Sequence, residues 1–364
     1  MQFICSKCGK TAPVTTRKAN CECGGLWQLD FTPPKFSLAL IDKTTWSIFR
    51  YRKFMALEGE TWRDITLGEG MTPIIQYNKD VLLKMDYFMP TLSFKDRGAA
   101  VLVAHCKAIG VDSVVQDSSG NAGNSVAAYC GRAGIKCEIF VPEGTSDKKI
   151  KMIVAHGAKA NVVPGSRDHC ADVCRSKVVE EGVYYANHVY NPFFYEGTKT
   201  YIYETYEQLG RIPEHIFIPL GNGTLFLGII KALEEFLSAG IINHMPQLIA
   251  MQSERCAPFV AAIQKKTLDI FPVPIAPTLA EGIAIGVPMR AREILAAIYK
   301  YKISLVTAPE EEILPARAKL AAQGIYCEHT TAAVYAAYEH YCKLYGPTPD
   351  SLISMCGAGL KSDH

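Results

Sequence analysis

Three short segments of the chain carry residue types that suit one kind of chemistry. Lys95 lies in residues 93–98 (Ser-Phe-Lys-Asp-Arg-Gly), and a lysine amine can bond covalently to a carbonyl carbon. A polar loop at residues 118–122 (Ser-Ser-Gly-Asn-Ala) stands between a predicted strand and a predicted helix, where amides and hydroxyls bind carboxylates. Residues 221–224 (Gly-Asn-Gly-Thr) let consecutive amides converge on an anion. Together they predict a site for a carbonyl, a carboxylate and a phosphate.

These are the features that a protein needs to hold pyridoxal phosphate (PLP) as a Schiff base. Each segment alone has a plainer interpretation. Lys95 stands in a Lys-Asp-Arg run that is typical of a solvated surface, and Ser or Asn in the 118–122 loop can simply cap a helix. Most Gly-x-Gly turns are only turns. The occurrence of all three in this order favours the PLP site.

The elements that must position these segments alternate between short apolar runs and amphipathic stretches. Buried parallel strands and the helices that cover them produce this pattern, so we predict an α/β fold with parallel sheets and helices on both faces. The pattern predicts strands over residues 81–85, 113–116, 137–141, 216–219 and 247–251. It predicts helices over residues 99–109, 122–133 and 225–239.

The same segments resemble the tryptophan-synthase-like (fold type II) PLP enzymes, and among them the threonine synthases. Two further strings carry the resemblance, Gly-Glu-Gly-Met-Thr-Pro at residues 68–73 and Asn-Pro-Phe-Phe-Tyr-Glu-Gly at residues 191–197. The resemblance covers nearly all of residues 1–361. It implies two α/β domains with the cofactor between them. We expect the large domain at residues 31–90 and 190–364 and the small one at 91–189.

The resemblance also implies a role for each site residue. Lys95 is the catalytic lysine that carries the cofactor, and Asn121 faces the cofactor ring and its 3′-oxygen. Cys356, before a Gly-x-Gly near the C-terminus, is the expected neutral partner of the ring nitrogen. The phosphate cup comprises Gly221, Asn222, Gly223 and Thr224. The substrate carboxylate is expected at Ser118, Ser119, Asn121 and Ala122.

The activity that the resemblance implies is a PLP lyase that converts O-phospho-L-homoserine and water to L-threonine and phosphate. The sequence departs from the threonine synthase pattern at three places. Phe194 stands where an anion-binding arginine is common, Cys356 stands where Thr or Ser is common, and residues 281–286 resemble dehydratases. A serine/threonine dehydratase and a phosphoserine-type β-replacement synthase therefore stay open. A non-catalytic, regulatory PLP-binding protein is a third alternative, against which the intact Lys95 and Asn121 argue.

The first thirty residues form a separate cysteine-rich segment. Cys5 and Cys8 are separated by two residues, and Cys21 and Cys23 by one, with glycines beside both pairs. Four thiolates at such spacing bind one zinc ion in a small ribbon, so we predict a structural zinc site at residues 1–30. A ribbon that holds no metal is the alternative.

The bulk composition narrows the remaining classes of function. The chain has 364 residues, 38 basic and 36 acidic side chains and a net charge of +2, so we expect no nucleic-acid or membrane-surface partner. No apolar run approaches the ~20 residues of a membrane-spanning helix, and the N-terminus lacks a signal pattern. The 13 cysteines suggest a reducing cytoplasm, and the resemblance implies a homodimer acting on a small amino-acid substrate.

Overall fold

A computed structural model describes residues 1–271, 273 and 276–361. Over these residues the strands are β1 (Gln2–Cys5), β2 (Thr11–Pro13), β3 (Trp27–Asp30), β4 (Ile74–Gln76), β5 (Val81–Lys84), β6 (Ser113–Gln116), β7 (Lys136–Pro142), β8 (Lys159–Val163), β9 (Tyr184–Tyr185), β10 (His215–Pro219), β11 (Gln247–Ser253), β12 (Ser304–Ala308) and β13 (Ser351–Ser354). The helices are α1 (Trp62–Ile65), α2 (Lys95–Ala108), α3 (Asn121–Ala133), α4 (Asp147–Ala155), α5 (Arg167–Glu181), α6 (Phe193–Thr198), α7 (Thr200–Leu209), α8 (Thr224–Ala239), α9 (Pro258–Gln264), α10 (Ala291–Tyr301), α11 (Glu310–Ala321) and α12 (His329–Tyr345). Every strand and helix named above from the sequence pattern is present, with its ends shifted by at most a few residues.

Two compact units make up the chain, and their limits differ from the predicted domain ranges. The first unit comprises Met1–Met71 and Lys95–Thr200, and the second comprises Thr72–Phe94 and the described residues between Tyr201 and Lys361. Residues 31–71, which we expected in the large domain, thus belong to the first unit. There α1 packs on α2 and α3, and the carboxylate of Glu69 accepts a hydrogen bond of 2.9 Å from Tyr129 Oη on α3.

The main sheet of the first unit is parallel throughout, in the order β8-β7-β6-β9. Its core packs strand residues such as Val115 and Phe140 against Cys170 and Cys174 of α5. These two cysteines therefore act as small buried apolar groups, as the composition predicts. Because the strands run in one direction, the loops that follow β6 and β9 leave the sheet at the same edge.

A three-stranded antiparallel sheet, in the order β2-β1-β3, forms the N-terminal ribbon of the first unit. Gly9 and Gly24 have φ of +72° and +80°, the left-handed region that non-glycine residues rarely adopt. A Cβ atom on Gly25 would lie 2.5 Å from Cys5 Sγ. The glycines beside the two cysteine pairs are therefore needed for the tight turns that carry the thiols.

The second unit contains a six-stranded sheet in the order β12-β11-β10-β13-β5-β4. All neighbours are parallel except β4, a three-residue strand that returns antiparallel on β5 and that the sequence analysis did not predict. The central strands β10, β13 and β5 are almost wholly buried, which explains their continuous apolar runs. Helix α12 contributes a run of small residues, including Ala332, Ala333, Ala336 and Ala337, to the core beside them.

No disulfide joins any two of the 13 cysteines, all of which lie in the described part of the chain. Within the described part of the chain, no helix combines the length and the apolar character that crossing a membrane requires.

Candidate active site

Lys95 is the first residue of α2 and is half-buried. The next two residues fix this end of the helix within the first unit. The Asp96 carboxylate accepts a hydrogen bond of 2.6 Å from Ser125 Oγ on α3, and Arg97 Nη1 donates to Thr200 Oγ1 at 3.1 Å. Asp96, Arg97 and Ser125 are fully buried. The charged run around Lys95 is therefore not a solvated surface patch, and the position of Lys95 is set by buried polar contacts.

The string around Lys95 packs directly on the Asn-Pro…Glu-Gly string, because α2 and α6 approach closely. A Cβ atom on Gly98 would lie 2.3 Å from the Phe194 ring, and one on Gly197 would lie 1.9 Å from Arg97 O. Both positions require glycine for this packing. Phe194, which we considered as a replacement for an anion-binding arginine, is fully buried at this contact. It fills the interface between α2 and α6 and supplies no polar group.

The 118–122 loop links β6 to α3 and provides groups that can bind a carboxylate. Gly120 is the N-cap of α3, and a glycine has no side chain that could cap the helix. The N-cap position is therefore held by glycine and not by Ser or Asn. The loop folds back over the first turn of α3, because a Cβ atom on Gly123 would lie 1.8 Å from Ser118 O. The amides of a helix N-terminus and the hydroxyls of Ser118 and Ser119 occur together here.

A second loop at the same edge of this sheet was not singled out from the sequence. Asp117 Oδ1 accepts hydrogen bonds from Tyr185 Oη at 2.7 Å and from Asn187 Nδ2 at 2.8 Å, which ties the end of β9 to the end of β6. The next residue, His188, is buried, and its Nδ1 atom has no hydrogen-bond partner among the described residues. The only hint in the sequence was its place just before the Asn-Pro string.

In the second unit, the 221–224 turn follows β10 and begins α8. Gly223 has φ of +75° and precedes a helix of 16 residues without a side-chain cap, so the first amides of α8 can bind an anion. A Cβ atom on Gly221 would lie 2.9 Å from Ile283 Cα, and one on Gly223 would lie 2.4 Å from Ile294 Cδ1. Larger residues would fill this turn, so the open space beside the first amides of α8 depends on the two glycines.

Cys356 follows β13, the strand next to β10, so Cys356 and the 221–224 turn leave the sheet at the same edge. The thiol is buried, and its Sγ lies 3.6 Å from Ser354 O. Phe94, the residue before Lys95 in the chain, donates its amide to Cys356 O at 2.9 Å. Gly357 N in turn donates to Thr331 Oγ1 at 3.0 Å. These bonds hold the Cys356 segment in a defined position.

The Gly-Glu-Gly-Met-Thr-Pro string contributes to buried polar networks in both units. Burial raises the pKa of Glu69 to about 7, although its carboxylate accepts hydrogen bonds from Leu67 N and from Thr66 and Tyr129 hydroxyls. In the second unit, Thr72 N donates to Glu204 Oε1 at 2.8 Å and Thr72 Oγ1 to Asp86 Oδ1 at 2.7 Å. The string therefore fixes the entry of the chain into both units.

The four N-terminal cysteines converge as the spacing predicts. Their Sγ atoms all lie within 4.8 Å of one another. Cys5 and Cys23 are 3.4 Å apart, Cys8 and Cys23 3.4 Å, and Cys8 and Cys21 3.7 Å. Tetrahedral coordination with Zn–S bonds of about 2.3 Å places sulfur atoms about 3.8 Å apart. The thiols thus have the number and spacing that one zinc ion needs.

The chain is similar to known proteins in both its sequence and its fold. The family model for "Pyridoxal-phosphate dependent enzyme" matches residues 65–357. The threonine synthase of Methanocaldococcus jannaschii is 34% identical over 344 residues, which cover 90% of this chain and 84% of that protein. The threonine synthase of Mycobacterium leprae is 32% identical over 284 residues, which cover 76% and 77%.

Solved structures share the fold at lower identity. A processed threonine deaminase isoform from Solanum lycopersicum has a TM-score of 0.71 at 19% identity, covering 92% of this chain and 93% of its own. A fungal L-serine ammonia-lyase from Rhizomucor miehei has a TM-score of 0.70 at 20% identity, covering 79% and 94%. At this identity the likeness supports the α/β fold with parallel sheets and leaves the reaction to other evidence.

Proposed function

This chain belongs to the family of pyridoxal-phosphate dependent enzymes, and from that premise we propose that it is a threonine synthase. The reaction would convert O-phospho-L-homoserine and water to L-threonine and phosphate. The observation that carries the proposal is the identity of 34% to a threonine synthase over 90% of the chain. Three features of the chain also support it. Lys95 begins α2, the 118–122 loop leads from β6 into α3, and the 221–224 turn leads from β10 into α8.

Each unit has residues that could bind one part of the cofactor. Lys95 would carry its aldehyde carbon, and Asn121 would face its ring. In the second unit, the amides of residues 221–224 would hold its phosphate and the Cys356 thiol would face its ring nitrogen. When bound, PLP withdraws electrons from the carbon that carries the substrate amino group. A thiol is a neutral partner, which limits this withdrawal and suits elimination and replacement better than transamination.

Two groups of the first unit would transfer protons and bind the substrate carboxylate. The Lys95 amine, once released from the cofactor, would move protons between Cα and the neighbouring carbons of the substrate. The amides and hydroxyls of the 118–122 loop would bind the α-carboxylate and orient Cα toward that amine. The α2–α3 contact between Asp96 and Ser125 keeps the amine and the loop in fixed register.

Turnover of a substrate panel tests the proposal. Phosphohomoserine should release phosphate and threonine in equal amounts, faster than serine or threonine releases ammonia. Faster ammonia release with no phosphate signal would instead identify a serine/threonine dehydratase, the alternative that Phe194 favours by supplying no cation. Turnover of phosphoserine with an added nucleophile would identify a β-replacement synthase. Bound PLP without any turnover would leave the regulatory protein.

We also propose that the thiols of Cys5, Cys8, Cys21 and Cys23 bind one structural zinc ion. Protein purified without chelators should contain about one zinc per chain by elemental analysis. The Cys8→Ser variant should lose most of it, whereas Cys342→Ser, which changes a half-buried thiol on α12, should retain it. Metal-free wild-type protein, or equal zinc in both variants, would contradict the proposal. Loss of the zinc should lower stability more than turnover, because the ribbon is a separate sheet.

We also propose a cellular compartment, an oligomeric state and a substrate class for the enzyme. The 13 cysteines form no disulfides, which supports a reducing compartment such as the cytoplasm. We expect a homodimer and a small amino-acid substrate from family membership.

A further inference from the structure

His188 is held rigidly at the sheet edge that carries the 118–122 loop. Asn187 Nδ2 donates to Asp117 Oδ1, while Asn187 Oδ1 accepts from Val189 N at 2.8 Å and from Tyr190 N at 3.2 Å. Gln116 Nε2 donates to Ala186 O at 2.8 Å. The backbone on both sides of His188 is therefore fixed by side-chain bonds. Such pre-organisation is typical of a residue that must present its side chain in one direction.

The His188 side chain lacks the partner that its burial calls for. It is 7% exposed, and Nδ1 is a buried atom without a hydrogen bond to any described residue. Its ring packs edge-on against Phe194 at a centroid distance of 5.7 Å, so its neighbour there is apolar. Buried polar atoms without partners are rare in folded proteins, and they often mark a position that a ligand satisfies.

Two cations act on this imidazole. Burial, followed by the positive charges of Lys95 and Arg167, keeps the pKa of His188 well below its usual range. The imidazole is thus neutral and offers one N–H donor. Arg167 begins α5, and it forms no ion pair with any residue that the structure describes. The Asp117 carboxylate at this edge already accepts from Tyr185 and Asn187. Arg167 begins the helix that follows β8, so it lies at the same edge of the parallel sheet as the loop after β9. An anion beside His188 would therefore meet an imidazole donor and the positive charge of Arg167.

We propose that His188 and Arg167 form the subsite for the anionic leaving group of the substrate, with His188 donating a hydrogen bond to a phosphate oxygen and Arg167 supplying charge. This subsite rests on the proposed function, and it would supply the positive charge that Phe194 does not provide. His188 follows β9 and Arg167 begins α5, away from the position where the family pattern places an arginine. The chemical class of the ligand is a phosphate monoester, and inorganic phosphate shares its chemistry.

Four variants of the PLP-loaded enzyme test the subsite. His188→Leu removes the donor, His188→Gln keeps one, Arg167→Gln removes the charge, and Arg167→Lys keeps it. The matched control is Arg132→Gln, because Arg132 is exposed in the last turn of α3, at the end of that helix away from the 118–122 loop. The measurements are KM and kcat for phosphohomoserine, the dissociation constant of inorganic phosphate, and the KM for Cα-hydrogen exchange of L-2-aminobutyrate, which has a neutral side chain.

His188→Leu and Arg167→Gln should weaken phosphate binding and raise the phosphohomoserine KM by about ten- to a hundredfold, as loss of a charge-assisted hydrogen bond does. The KM for L-2-aminobutyrate should rise several times less, and the His188→Gln and Arg167→Lys variants should recover part of the loss. The Arg132 control should match the wild type. A general defect of folding would instead affect both substrates equally, and Arg167 lies at the surface where its replacement is tolerated.

The outcomes separate this subsite from the proposed function. Turnover of phosphohomoserine that does not depend on His188 or Arg167 overturns the subsite and leaves the function standing. Phosphate binding that depends on both residues, without turnover of phosphohomoserine, overturns the function and leaves the anion site standing. Wild-type enzyme that neither turns over phosphohomoserine nor binds phosphate overturns both.

Discussion

Replacing Lys95 by alanine is expected to lower kcat for every substrate by at least about 10³-fold, because proton transfer by a positioned amine alone contributes about 10²- to 10⁴-fold. The same variant also loses the amine that carries the cofactor. Borohydride reduction of the wild-type enzyme should fix the cofactor to the peptide that contains Lys95, and mass spectrometry of the digest reads out the labelled residue. Cofactor attached to any other lysine would refute the assignment.

The structure offers a matched control for that experiment on the same helix. Lys107 lies near the other end of α2, is exposed, and donates to Ala133 O at 2.9 Å. Lys107→Ala should keep both turnover and the borohydride label. Lys95→Ala itself should fold, because alanine is a strong helix former and the anchoring contacts of Asp96 and Arg97 remain. Equal losses in the two variants would point to damage of α2 and not to chemistry at Lys95.

The sequence predicted those parts of the fold that depend on local pattern. The strands β6, β7, β10 and β11 each contain a short apolar run that the sequence shows directly, and they formed as expected. The strand β4 was missed because three residues are too few to show a period. The limits of the two units were also missed, since residues 31–71 join the first unit through contacts distant in sequence, such as Tyr129 with Glu69.

The candidate site divides in the same way. Lys95 and the glycine turn were predictable because their residue types indicate their chemistry: a lysine amine can bond to a carbonyl carbon, and consecutive glycine-rich amides can bind an anion. Phe194 was expected to bear on substrate binding, whereas the structure shows why an aromatic ring is there: it covers Gly98. His188 could not be predicted. Its interest comes from burial and from a missing partner, and both are properties of the folded chain that a single histidine in a sequence does not reveal.

A buried ion pair in the second unit should carry the largest effect on stability. Lys84 on β5 and Glu204 on α7 are both fully buried, and Lys84 Nζ donates to Glu204 Oε1 and, at 2.6 Å, to Thr72 O. Glu204→Gln keeps the shape but removes the negative charge, leaving the Lys84 ammonium poorly compensated inside the protein. Breaking one side of a buried pair costs about 3–5 kcal/mol. Hydrogen–deuterium exchange of the β5 and α7 peptides should report this loss within the unit itself.

Two further variants decide whether charge is the cause. Asp269→Asn breaks the surface ion pair with Arg292. The Arg292 side chain is 77% exposed and the Asp269 side chain 57% exposed, so this variant should change the free energy of unfolding by less than about 0.5 kcal/mol. The double variant Lys84→Met with Glu204→Leu removes both charges and should recover much of the loss, because apolar residues of similar volume can replace a buried pair. If the double variant is as unstable as Glu204→Gln, the hydrogen bonds to Thr72 matter more than the pair. That network lies in the string through which the chain enters the second unit, so its loss should loosen the sheet that carries Cys356 and the 221–224 turn.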